Sequence, residues 1–265
     1  MKNFNEDELL DFLKDFQLKT VNYVYDKLYS ENGSNKFLIA DEVGLGKTMI
    51  ARGIITKIIN KFQFNEQKRL DIIYICSNSQ IAKQNINKLN IMDKKFSHSS
   101  RITLLPLKIH DLKNNEINFI SFTPGTSFNL RSSGGIKKER ALLYHLLTKV
   151  WFFNDNKKYI KFFQCTAGDT WEDFLLVDFK NNYKIDEELG NNFISKLEEG
   201  IKEEEKKGNK TLYQRFEKTV ANFTDEKISD EANSRRYQII GELREILAVS
   251  CIKSLRAELV ILDEF

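Results

Sequence analysis

Short apolar runs alternate with amphipathic segments along the first half of the chain. The runs are typical of buried strands, and the segments between them have apolar positions at helical spacing. We therefore expect strands at 36–40, 70–77, 101–107 and 117–123, and helices at 49–62 and 80–90. Strands that alternate with helices in this way favour a parallel sheet covered on both faces.

The second half of the chain has mostly helical periodicity until its last residues. The segment 237–255 carries one continuous apolar stripe, and it leads into an apolar run that predicts a further buried strand. A compact α/β lobe needs few residues between its strands, and a long excursion costs little loop-closure entropy. We therefore expect a lobe made of residues 1–130 and 237–265, with residues 131–236 forming a mostly helical insertion.

Composition and cysteine usage narrow the class of protein. The 265 residues include 41 basic and 38 acidic side chains, a surplus too small to require or exclude nucleic acid. Cys76, Cys165 and Cys251 lie far apart, with no metal-binding spacing, which favours a reducing compartment. No apolar run approaches the ~20 residues that span a bilayer. We therefore expect a soluble, cytoplasmic protein with no membrane partner.

Residues 41–48, of sequence DEVGLGKT, lie between a predicted strand and a predicted helix. Glycines allow the backbone to approach a phosphate closely, and the first turn of a helix favours negative charge. In such a loop Lys47 would contact the β- and γ-phosphates, and the Thr48 hydroxyl would bind Mg²⁺. The usual pattern begins with glycine, whereas this one begins with Asp41. An ordinary turn with a solvated lysine remains the alternative at this point.

Asp263 and Glu264 follow the last apolar run. A nucleoside triphosphatase needs two acids of this kind beside its phosphate loop. The first holds hydrated Mg²⁺, and the second orients and deprotonates the attacking water. Either motif alone is common, but the two together in this order indicate a nucleotide site.

The segments ADEVGLGKT and LVILDEF resemble motifs I and II of superfamily 2 helicases. They are most similar to the Swi/Snf-related branch of double-stranded DNA translocases and its bacterial relatives, which shares the aspartate at Asp41. FQLKTV is similar to the upstream glutamine motif that contacts adenine, with Gln17 as the candidate. YICSNSQIAKQN resembles motif Ia, and ISFTPGTSF resembles the region of motif Ib.

This resemblance implies a RecA-like P-loop NTPase lobe and an ATPase that uses ATP and Mg²⁺. Its catalytic residues would be Lys47 and Glu264, and its metal ligands Thr48 and Asp263. The nucleotide would contact Gln17, Val43, Gly44, Leu45, Gly46, Lys47 and Thr48.

The same resemblance implies a track for nucleic acid, with DNA favoured over RNA. The residues that would contact backbone phosphate, without reading sequence, are Ser77, Asn78, Ser79, Thr123 and Gly125. Helix capping by serine and asparagine, and a turn at proline–glycine, are the alternative explanation of these residues.

In the family a second RecA-like lobe supplies arginines to the γ-phosphate. We expect this chain to be a first lobe that ends at motif II. Because arginine fingers contribute roughly 10³ to 10⁵ in rate, it should hydrolyse ATP slowly without its second lobe.

Two other functions remain open from the sequence. One is the motor portion of an ATP-dependent restriction or phage-defence complex, in which translocation feeds a nuclease. The other is an ATP-binding scaffold that does not hydrolyse ATP and whose helical insertion binds a protein partner.

Overall fold

The structure is a computed structural model that describes residues 6–40, 44–63, 69–91, 101–123, 134–153, 156–223, 228–255 and 257–263. In chain order the elements are α1 (Glu6–Leu10), α2 (Asp15–Tyr29), α3 (Lys47–Gln63), β1 (Leu70–Cys76), α4 (Ser79–Leu89), a 3₁₀ helix (Ile102–Leu107), α5 (Ile109–Lys113), β2 (Ile117–Phe122), α6 (Lys137–Leu147), α7 (Asn156–Gln164), α8 (Trp171–Asp173) continued by a π-helical turn (Phe174–Asp178) and α9 (Phe179–Asn182), α10 (Glu187–Lys206), α11 (Leu212–Val220), α12 (Asp230–Ser254) and β3 (Ala257–Asp263).

The chain forms two compact units. The first, which we call the sheet unit, comprises Met1–His98, Lys113–Thr123 and Arg256–Phe265. The second, which we call the helical unit, comprises Ser99–Leu112 and Pro124–Leu255. Helix α12 is one continuous helix that packs with α10 and α11 in the helical unit.

A small parallel sheet forms the centre of the sheet unit. Its strand order is β2–β1–β3, and β1 pairs in parallel with both neighbours. The predicted parallel sheet and the predicted strands at 70–77 and 117–123 are thus confirmed. Because the strands are parallel, their carboxyl ends all lie at one edge of the sheet.

Helices α2, α3 and α4 pack against the sheet. The periodicity that predicted α3 is confirmed, since its isoleucines at positions 50, 54, 55, 58 and 59 are all buried. They join one apolar core with Val21 and Val24 of α2 and with alternate residues of β1. Burial of this apolar surface, at about 25 cal/mol per Å², is the main favourable term for the unit.

Two predicted strands are wrong. Residues 36–40 have no strand pairing, and Leu38 is 83% exposed. Residues 102–107 form the 3₁₀ helix, because Pro106 lacks the N–H that an interior strand needs and the Thr103 hydroxyl donates to Glu139 instead. A short apolar run is therefore compatible with more than one local structure.

The strand β3 exists as predicted, but it is not buried. Val260 and Leu262 are 48% and 64% exposed, and β3 pairs only with β1 among the described strands. Its apolar composition predicted a buried strand, whereas it lies at an edge of the described sheet.

The helical unit has a core of its own. Glu139 of α6 is fully buried and accepts hydrogen bonds from Arg101, Arg244 and the Ile136 N–H at 3.2, 3.1 and 2.8 Å. These bonds join the chain before the 3₁₀ helix to α6 and α12.

No helix in the described part of the chain is long and apolar enough to cross a membrane.

Candidate functional site

The predicted phosphate loop, which the structure describes from residue 44 onward, enters α3 through two glycines with positive φ. Gly44 and Gly46 have φ values of +96° and +84°, in the left-handed region that favours glycine. The N–H groups of Met49 and Ile50 donate to the Gly46 carbonyl at 2.7 and 3.1 Å, so α3 begins directly after the loop. Lys47 therefore stands in the first turn of a long helix, where N–H groups favour an anion.

Gln17 holds this loop from α2. Its Nε2 donates to the Leu45 carbonyl at 3.2 Å, and its Oε1 accepts from the Lys14 N–H at 3.0 Å. The side chain is 7% exposed. The Gln17 amide is thus hydrogen-bonded to the backbone of Leu45. The sequence predicts that both residues contact the nucleotide.

Asp263, at the end of β3, is held by two polar side chains. The Tyr74 hydroxyl donates to its Oδ2 at 2.5 Å, and Asn85 Nδ2 reaches the same oxygen at 3.3 Å. Burial, followed by the bond to Asp263, raises the pKa of Tyr74 well above its usual range. The tyrosine therefore keeps its proton at neutral pH and acts as the donor.

One cavity of about 560 Å³ brings three of the predicted residues together. Lys47, Thr48 and Asp263 all line it, as does Tyr74. The rest of its wall comes from α2, α3, residues 35–39, Leu89 at the end of α4, and β3. Side chains from the two ends of the sequence thus share one cavity within the sheet unit.

The residues on this cavity suit Mg²⁺ bound together with a nucleotide. The Thr48 hydroxyl and the Asp263 carboxylate are oxygen ligands, the kind that Mg²⁺ prefers. Within the described ranges there is no cluster of three or more histidine, cysteine or acidic residues that would hold a metal by itself. This pattern fits a metal that takes one or two protein ligands and completes its shell with phosphate and water.

The residues predicted to contact nucleic acid lie in different environments. Ser77 and Asn78 are exposed between β1 and α4, and Ser79 is the first residue of α4. The Asn78 side chain accepts from the N–H groups of Gln80 and Ile81 at 2.8 and 3.3 Å, so it caps α4. Thr123 follows β2 but is only 4% exposed.

Three predicted site residues lie outside the described residues: Val43, Gly125 and Glu264.

Sequence reasoning missed Tyr74 and Asn85. One signal was available, because Asn85 is a polar residue four positions from both Ile81 and Leu89 on the inward side of α4. Tyr74 gave no signal, since the apolar ring of a tyrosine is usually enough to account for its burial in an apolar strand.

Comparison with family models matches residues 9–144 to the family described as "Type III restriction enzyme, res subunit". Searches of curated proteins and of solved structures found no match. The matched stretch is just over half of the chain and includes the phosphate loop, β1, α4 and β2. The family is a superfamily 2 helicase family, which accounts for the parallel sheet and implies a RecA-like, ATP-hydrolysing domain. The chain therefore belongs to the type III restriction enzyme res-subunit family of superfamily 2 helicases.

Proposed function

We propose that the sheet unit is the ATP-binding lobe of a motor that couples ATP hydrolysis to movement along DNA. The observation that carries this proposal is the single cavity lined by Lys47, Thr48 and Asp263. A phosphate-binding lysine, a hydroxyl and a carboxylate on one cavity are the groups that phosphoryl transfer from a triphosphate requires.

Each group has a separate role in this proposal. Lys47 and the N–H groups at the start of α3 bind the β- and γ-phosphates. Thr48 and Asp263 hold Mg²⁺, which when bound neutralises charge that develops on the phosphates. Glu264, the next residue after Asp263, orients the attacking water. The Gln17 amide fixes the loop and contacts adenine when nucleotide is bound.

The DNA contact is proposed at the edge of the sheet that carries Ser77 and Asn78. Exposed polar residues and N–H groups at the start of α4 suit backbone phosphates, which carry no sequence information. Movement along a duplex, as in the Swi/Snf-related branch, requires a second lobe that closes on the nucleotide. The helical unit, whose larger part lies between β2 and β3 in the sequence, then contacts DNA or a protein partner.

A second candidate is the motor of an ATP-dependent restriction or defence complex. The observation that favours it is the family match itself, since that family is named for a restriction-enzyme subunit. Both candidates use the same ATP chemistry. They differ in whether ATP-dependent movement leads to DNA cleavage by a nuclease in the complete complex.

Nucleotide binding by the 265-residue chain tests the shared part of both candidates. We expect a fluorescent ATP analogue with Mg²⁺ to bind the wild-type chain, and Lys47→Ala to weaken binding by at least about tenfold, because a hydrogen bond to a charged group is lost. Lys57→Ala is the matched control, since Lys57 lies on the same helix but pairs with Glu6 at 3.7 Å. Equal binding by the wild type and Lys47→Ala would refute the proposal.

A further inference from the structure

The carboxylate of Asp263 is held by β1 and α4 rather than by β3 alone. Tyr74 donates to Oδ2 at 2.5 Å, and Asn85 Nδ2 donates both to Oδ2 at 3.3 Å and to the Tyr74 hydroxyl oxygen at 3.0 Å. The three side chains thus form a closed set in which each one contacts the other two. All three belong to the sheet unit.

Strand register explains why these groups meet. Asp263 is paired with Cys76 on the neighbouring strand, and Tyr74 lies two residues before Cys76 on the same face of the sheet. Asn85 comes from α4, which packs against β1 on that face. The arrangement therefore follows from the topology and does not depend on a flexible loop.

The geometry restricts the carboxylate. Two donors reach one oxygen, Oδ2, so rotation of the carboxylate about its last bond would break both hydrogen bonds. Tyr74 itself is 3% exposed, and its ring is fixed in the apolar core. A donor with little freedom of its own is well suited to hold a ligand in one orientation.

We propose that Tyr74 and Asn85 are positioning residues that orient the Asp263 carboxylate toward Mg²⁺ on the cavity. This inference rests on the proposed function, because it concerns the same metal. The inference also gives α4 two roles. Its first turn carries the proposed DNA contact, and about two turns later Asn85 donates a hydrogen bond to the proposed metal ligand Asp263. Contacts to DNA and to metal would then depend on the position of one rigid helix.

The test is a Mg²⁺ titration of the wild-type chain and its variants in the presence of a fluorescent ATP analogue. The measured quantity is the Mg²⁺ concentration at which binding of the analogue is half-maximal. Loss of a group that orients a metal ligand typically weakens metal affinity about 10- to 100-fold. We expect Tyr74→Phe to raise the half-saturating Mg²⁺ concentration about tenfold and to change nucleotide binding without Mg²⁺ much less. A general loss of structure would weaken both, so the two readouts separate positioning from folding.

A matched control is Tyr29, which lies on α2 and also lines the cavity. The Tyr29 hydroxyl donates to the Glu258 carbonyl of β3 at 2.9 Å, far along the strand from Asp263. Tyr29→Phe therefore removes an equivalent hydroxyl and should leave the Mg²⁺ requirement unchanged. Asn85→Ala, at a less buried position, should shift the Mg²⁺ requirement in the same direction as Tyr74→Phe but by less.

If Lys47→Ala weakens nucleotide binding as expected but neither Tyr74→Phe nor Asn85→Ala changes the Mg²⁺ requirement, the inference is overturned and the proposed function stands. A wild-type chain that binds no nucleotide at any Mg²⁺ concentration would instead overturn the proposed function, and the inference with it. The two failures are therefore distinguishable in one set of titrations.

Discussion

Gly46 lies against Gln17 of α2. A Cβ at this position would lie 2.4 Å from Gln17 Nε2, closer than such atoms approach in proteins. Gln17 has little freedom to move away, because both ends of its amide are hydrogen-bonded. Gly46 is thus required by its φ of +84° and by this contact.

We predict that Gly46→Ala lowers the free energy of unfolding more than Gly44→Ala does. Both residues have positive φ, which costs a non-glycine residue about 1–2 kcal/mol. A Cβ at Gly44 would have nothing within 4 Å, so only Gly46→Ala adds a steric clash. Urea unfolding of the two variants measures the difference.

The same comparison contains its own control. If the contact with Gln17 causes the extra loss of unfolding free energy, that extra loss should disappear when Gln17 is also replaced by alanine. The double variant Gly46→Ala/Gln17→Ala should then be less stable than Gln17→Ala only by the backbone strain at residue 46. Equal destabilisation by Gly44→Ala and Gly46→Ala would show that the contact with Gln17 is unimportant.

Single residues differ in how far the sequence could predict them. Lys47, Thr48 and Asp263 belong to short motifs, because phosphate and magnesium chemistry fixes both residue type and local spacing. Tyr74 and Asn85 depend on which strand pairs with which and in what register. The inward position of Asn85 on α4 was the one local signal, whereas the strand pairing that brings both residues to Asp263 is tertiary information.

Helix α4 begins at a residue with two possible roles. Asn78 caps the helix through bonds to Gln80 and Ile81, and the same residue is predicted to contact DNA phosphate. Capping uses the side-chain oxygen as an acceptor, whereas contact with phosphate requires a donor or a neutral group. The two roles therefore respond differently to a negative charge.

We predict that Asn78→Ala lowers the free energy of unfolding by about 1 kcal/mol, the usual cost of a lost cap. Asn78→Asp should restore this stability, because aspartate is an equally good cap. In a DNA-binding assay with the complete protein at low salt, Asn78→Asp should nonetheless weaken binding, since its charge repels phosphate. Unchanged DNA binding by Asn78→Asp would remove Asn78 from the proposed track.

Elements with sustained periodicity were predictable, and short apolar runs were not. The helix α3 was predicted because its isoleucines recur at helical spacing over nearly three turns. The runs at 36–40 and 102–107 are too short for periodicity to decide their structure. Pro106 was the available warning in the second run, and the first had none.

At the scale of the whole chain, topology brings the ends of the sequence to one cavity. Lys47 follows the first apolar run, and Asp263 ends the last described strand. Most of the helical unit is encoded between β2 and β3. The motif order predicted this convergence on chemical grounds, since one metal needs both groups. The limits of the helical unit were less predictable, because α12 looks the same in sequence whichever unit it packs with.

The most direct test of the central claim is a double-mutant cycle between Thr48 and Asp263. The measured quantity is the affinity for Mn²⁺ in the presence of saturating ATP analogue, followed by the EPR signal of free Mn²⁺. If both side chains serve one metal, Thr48→Ala and Asp263→Asn should each weaken binding, and their effects should couple by more than about 0.5 kcal/mol. Effects that add to within about 0.3 kcal/mol, or no loss in Asp263→Asn, would contradict a shared metal–nucleotide site.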